Sequence, residues 1–174
     1  MTFRQTFTAA TLIFSSLVLG CGEDPAEPTG SFADVFLNEF MASNDTIIPN
    51  EAGDYVDWVE LYNASEVDLS TEGLYITDDL DEPLMHPLPA LTIPAGGHLL
   101  LWADKEVDLS DYHLPFALEK NGEELGLSYI DDGGEATLLD GVAFGEQVAD
   151  LSWARMPDGG AWAEDVIPTP GTGN

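Results

Sequence analysis

From Val35 onward the chain runs in short apolar stretches separated by turn residues, the pattern of a β-sandwich or β-barrel. It predicts strands at 35–40, 55–62, 74–77, 98–103, 124–130, 136–144 and 152–156. Alternation in Leu125-Gly126-Leu127-Ser128-Tyr129 marks a half-buried strand. The following Asp131-Asp132-Gly133-Gly134 supplies positive-φ turn chemistry, so 124–130 and 136–144 should pair as a hairpin. Leu99-Leu100-Leu101-Trp102 is apolar on both faces and belongs in the middle of a sheet, fed by a tight turn at Pro94-Ala95-Gly96-Gly97. The 55–62 stretch changes phase between Trp58 and Val59; a bulge there would let Val56, Trp58, Val59 and Leu61 all reach one core. No segment sustains a capped helical period, and prolines from Pro49 to Pro170 oppose long helices. The expected fold class is all-β.

The N-terminus follows a different rule. Arg4 precedes an uncharged apolar and hydroxylic stretch from Thr6 to Gly20, shorter than a membrane span and built like a secretory signal. It ends in Leu17-Val18-Leu19-Gly20-Cys21, which resembles the lipobox of bacterial lipoproteins. That resemblance implies cleavage before Cys21, acylation of its thiol, and a membrane-anchored place in the bacterial cell envelope facing periplasm or exterior. The Pro-, Gly- and acid-rich run after Cys21 reads as a flexible tether. The expected organisation is a signal peptide over 1–20, an acylated tether over 21–33 and one folded domain over 34–174.

Within that domain, Leu37-Asn38-Glu39-Phe40-Met41-Ala42-Ser43-Asn44 is followed by Asp57-Trp58-Val59-Glu60-Leu61-Tyr62-Asn63. Then come Gly73-Leu74-Tyr75-Ile76-Thr77-Asp78-Asp79, Ile93-Pro94-Ala95-Gly96-Gly97 and a closing Thr169-Pro170-Gly171. In this order the blocks resemble the lamin-tail domain, which implies an immunoglobulin-like β-sandwich with an accessory rather than catalytic role. The same blocks make sense as folding instructions. Trp58 and Tyr62 supply bulk to a core. Asn38, Asn63 and Ser70 can satisfy backbone groups at turns, and Gly73 and Gly96 suit positive-φ positions.

Charge narrows the partners. Thirty-three Asp and Glu stand against four Lys and Arg, a net −29 over 174 residues. Nucleic acid, whose binding rests on neutralising phosphates, is excluded as a partner, and the charge argues against electrostatic attraction to anionic lipid headgroups. The single cysteine forbids an intrachain disulfide.

Signals for catalysis are few. His86, His98 and His113 are the only imidazoles, and no nucleophile-elbow, H-E-x-x-H, paired-cysteine or phosphate-loop motif is present. A calcium ion would find oxygen ligands at Asp78, Asp79 and Asp81, in the acidic loop after the 74–77 strand, or at Asp131-Asp132. Glu39, Asn44, Asp57 and Glu60 could also converge if the first two strands pair. Trp102, Trp153 and Trp162 offer a sugar-stacking platform, with Trp102 expected in the core and Trp162, beside Gly159 and Gly160, expected in solvent. The leading expectation is a non-enzymatic surface lipoprotein that binds a protein or surface polymer without a cofactor. Its rival is a calcium-dependent or carbohydrate-binding accessory domain.

Overall fold

The computed structural model describes residues 30–131 and 133–174. The predicted leader, Cys21 and the tether as far as residue 29 lie outside the described residues, as does Asp132. A short 3₁₀ turn, Phe32–Asp34, is capped by the Ser31 hydroxyl and leads into the first strand. Among the described residues no helix is long and apolar enough to cross a membrane.

The strands are β1 (Val35–Met41), β2 (Asp57–Asn63), β3 (Leu69–Ser70), β4 (Leu74–Thr77), β5 (His86–Pro87) and β6 (Thr92–Ile93). They continue as β7 (His98–Ala103), β8 (His113–Leu114), β9 (Glu124–Ile130), β10 (Ala136–Ala143), β11 (Ser152–Met156) and β12 (Ala161–Val166). One sheet runs in the order β12-β11-β1-β2-β7-β8, a second in the order β10-β9-β4-β5, and β3 pairs with β6 as a small ribbon. The result is an immunoglobulin-like β-sandwich, as expected. Inward residues of both sheets, among them Leu37, Phe40, Val59, Leu61, Leu101, Leu74, Ile76, Leu125 and Leu127, form one buried core. Phe40 tilts against Phe144 with ring centroids 4.7 Å apart, joining β1 to the chain just after β10.

Several expectations hold in detail. β7 is internal, between β2 and β8. β9 and β10 pair antiparallel, and the Asp131 carboxylate accepts from the N–H groups of Gly133 and Glu135 to close their turn. The Pro94–Gly97 turn closes on a 2.9 Å backbone hydrogen bond, with Gly96 at φ +59°.

The bulge is elsewhere than predicted. β2 pairs with β7 without interruption through Trp58↔Trp102 and Val59↔Leu101, and the irregularity falls in β1 between Leu37 and Glu39. The phase change at Trp58 arises because both faces of this sheet are covered. Val59 and Leu61 face the main core, whereas Trp58 joins Met41 and Trp102 in a second cluster, against which Ile48 and Val56 pack. Trp162 is likewise not in solvent. It is partly buried on β12, edge-on to Phe40, with the Arg155 guanidinium 4.6 Å from its ring.

Candidate functional site

The β1 bulge places Glu39 directly across from Glu60 on β2, and both side chains are fully buried. Two carboxylates at such a register repel each other and lose hydration together. The fold answers with donors. Glu39 accepts from the Ser152 hydroxyl at 2.5 Å and the Thr169 N–H at 3.0 Å. Glu60 accepts from the Gly171 N–H and, at 3.4 Å, from the Asn38 amide. The segment 169–174 therefore lies over the pair as a strap. Its far end is fixed by the Asn174 N–H donating to Asp158, which also accepts from Asn38 at 3.0 Å.

Burial dominates the protonation of both glutamates. It raises Glu39, against the lowering effect of Ser152 and Thr169, and pushes Glu60 up to about 7, with Glu39 and Asp158 adding repulsion. The Thr169 hydroxyl has one proton but faces two oxygens, Glu39 Oε2 at 3.1 Å and the Asn174 side-chain carbonyl. A proton on Glu39 completes that network. His98, tilted against the Tyr62 ring, brings its Nε2 to 3.4 Å from Asp158 and 4.0 Å from Glu60. Of the four residues expected to converge, Glu39 and Glu60 do so. Asn44 instead closes its own loop by donating to the Ile48 and Val56 carbonyls, and Asp57 lies at a sheet end.

That sheet end carries the second polar constellation. His113 on β8 is buried, with Nδ1 2.9 Å from Asp104 and Nε2 3.0 Å from Glu51. Burial would lower its pKa, but the two carboxylates outweigh burial and raise it. The Ser110 hydroxyl donates to Glu51 at 2.6 Å, and this bond leads the effects that hold the Glu51 carboxyl at about 2. The hydroxyl thus points to a carboxylate and not to the imidazole, so the group is not a nucleophile–base pair. What it does is pin the 104–112 loop to the 45–55 loop. Beside it, Tyr55, Val56, Asp57, Ala103, Asp104 and Ala117 line an open cleft of about 310 Å³. Burial, followed by repulsion from Glu123, pushes Asp57 up to about 7.

The acidic loop after β4 is a self-satisfied turn. The Asp79 carboxylate accepts from the Asp81 N–H at 3.0 Å, and the Thr77 hydroxyl donates to the Asp79 carbonyl. Asp78 is half-buried and its charge repels that of Glu123, whereas Asp79 and Asp81 are exposed. Among the described residues no group of three or more His, Cys, Asp or Glu is arranged to hold a metal ion.

Sequence reasoning gave Arg155 no role, yet it is a structural hub. It donates to the Leu37 and Gly160 carbonyls and to Asp140, which in turn accepts from the Leu37 N–H. The missed signal is a lone arginine in an otherwise acidic, aromatic strand pair.

Fold and site together define an immunoglobulin-like domain whose most buried polar groups serve its own architecture. The family model described as Lamin Tail Domain matches residues 28–155. The chain belongs to the lamin tail domain family, a family of immunoglobulin-like, non-catalytic domains. The matched region ends at Arg155, so β12 and the 169–174 strap lie outside it. No curated protein matches the chain.

Proposed function

We propose that this chain is a non-enzymatic interaction module of the bacterial cell envelope. In this reading Cys21 carries an acyl anchor, the following acidic run is its tether, and the lamin tail domain holds a protein or a surface polymer by its outer surface. The observation that carries the reading is the direction of the family blocks' polar residues. Asn38, Glu39, Glu60 and Asn63 are fully buried and bonded to the domain's own backbone and side chains. Their chemistry is spent on folding, which leaves recognition to the exterior. That exterior is acidic, so it suits a cationic partner better than an anionic one.

The anchor is tested by feeding cells an alkyne fatty acid and comparing the full chain with Cys21→Ser. Labelling and membrane association of the parent chain, both lost on substitution, are expected. Equal labelling of the two, or equal release from membranes, would remove the anchor from the account.

A further inference from the structure

We infer that the joined loops 45–55 and 104–112 form the docking face of the domain, and that its occupant is a cationic, amphipathic segment of another protein. This rests on the interaction-module reading and gives it a location. Exposed large apolar side chains concentrate here. Tyr55, Val107, Leu109 and Tyr112 are each between 45% and 51% exposed, and Ile47 on the same loop pair is 38% exposed. Such a concentration on a monomer's surface marks an interaction site more often than chance scatter does.

The loops hold together as one surface. His113 contacts Asp104 at the root of one loop and Glu51 on the other, Ser110 donates to Glu51, and Asn50 donates to Asp104 at 3.3 Å. A Pro49↔Tyr55 bridge closes the first loop and an Asp104↔Ala117 bridge ties down the second. A surface fixed before binding loses little conformational entropy when a partner arrives.

Charge selects the occupant. Among the apolar residues stand Asp54, Glu106, Asp108 and Asp111, all exposed, with Lys105 as the one cation of the two loops. A second copy would bring this acidic face against its like, and an anionic lipid surface would be repelled in the same way. A segment with lysine or arginine on one side and aliphatic groups on the other satisfies both features. The cleft lined by Tyr55, Asp57 and Asp104 suits one long cationic side chain, with the two aspartates as counter-charges. Asp57 has Glu119 and Glu123 as charged neighbours, so a cation there relieves repulsion that the free domain carries.

The test uses the full chain and two probes, a peptide of alternating lysine and leucine and a lysine-only peptide of equal charge. Hydrogen exchange locates each, and calorimetry measures affinity. The lysine–leucine peptide should protect 45–55 and 104–113. The double change Leu109→Ser with Tyr112→Ser should weaken its binding by at least about tenfold, with lysine-only binding unchanged. Leu138→Ser, an exposed site on the other sheet, should alter neither. Protection on another face would overturn this location and leave the interaction-module reading standing. Equal weakening of both peptides, no binding of the lysine–leucine peptide, or loop protection that rises with protein concentration alone would each overturn the inference.

Discussion

Glu60 should make the domain lose stability as pH rises through neutrality. Its carboxyl is fully buried, opposite Glu39, and its pKa moves from 4.5 in the unfolded chain to about 7 in the fold. A folded-state pKa above the unfolded one means that the native state holds the proton more tightly. The associated stability is therefore complete below about pH 4 and is lost as pH climbs through about 7. The shift is worth about 3 kcal/mol in total, of which about 2.5 kcal/mol falls between pH 5 and pH 8. Glu39, raised by burial, adds loss of the same sign. The comparison is Glu60→Gln, which keeps the shape and an acceptor for the Gly171 N–H but cannot release a proton. Urea unfolding of both proteins across that range, at fixed ionic strength so that the net charge of −29 is equally screened, gives the difference directly. With each protein referred to its own stability at pH 5, the parent chain should have lost about 2.5 kcal/mol more than Glu60→Gln by pH 8. Parallel profiles would show that Glu60 is ionised throughout and that the 169–174 strap binds a charged carboxylate. Only the change with pH matters here, so a constant offset from the substitution does not affect the result.

The remaining predictions concern the strap, the arginine hub and the acidic turn. Thr169→Val removes a hydroxyl from the Glu39 network and should cost roughly 1–3 kcal/mol in urea unfolding. Arg155→Met leaves Asp140 buried without its partner and should cost about 3–5 kcal/mol by the same measurement. Asp57→Asn should be more stable relative to the parent chain at pH 8 than at pH 5, since the parent's carboxyl must ionise near 7 beside Glu123. Calcium and magnesium at matched ionic strength should raise the thermal midpoint equally, because the 78–82 loop is closed by its own hydrogen bonds. A saturable rise selective for calcium and lost in Asp81→Asn would instead establish a site there.

The strands were legible where the chain states its pattern locally. β4, β7, β9 and β11 carry unbroken apolar or alternating runs between turn residues, and the structure begins and ends them where that pattern does. The two-residue strands β3, β5, β6 and β8 were not legible, because each is too short to show a pattern and exists only through its pairing partner. β12 was missed for a related reason. Ala161-Trp162-Ala163-Glu164-Asp165-Val166 has little apolar periodicity, and its place is set by pairing with β11 and by the Arg155 stack on Trp162. The buried glutamates left a trace that could have been followed. Asn38-Glu39-Phe40 and Val59-Glu60-Leu61 each put an acid inside an apolar strand, and such acids in a sheet covered on both faces must be met by donors from elsewhere. What one strand could not reveal is the source of those donors, a segment more than a hundred residues away. The joined loop face was hidden for the same reason, since Glu51, Asp104 and His113 come from separate stretches.

The central claim is that the domain works by holding another protein on its exterior. It is tested most directly by photo-crosslinking in cells that make the full chain, with a photoactivatable phenylalanine replacing Leu109 or, on the other sheet, Leu138. One discrete adduct with a different protein from position 109, absent from position 138 and lost when Cys21 is changed to Ser, is the predicted result. No adduct from either position, or the same adducts from both, would contradict the account.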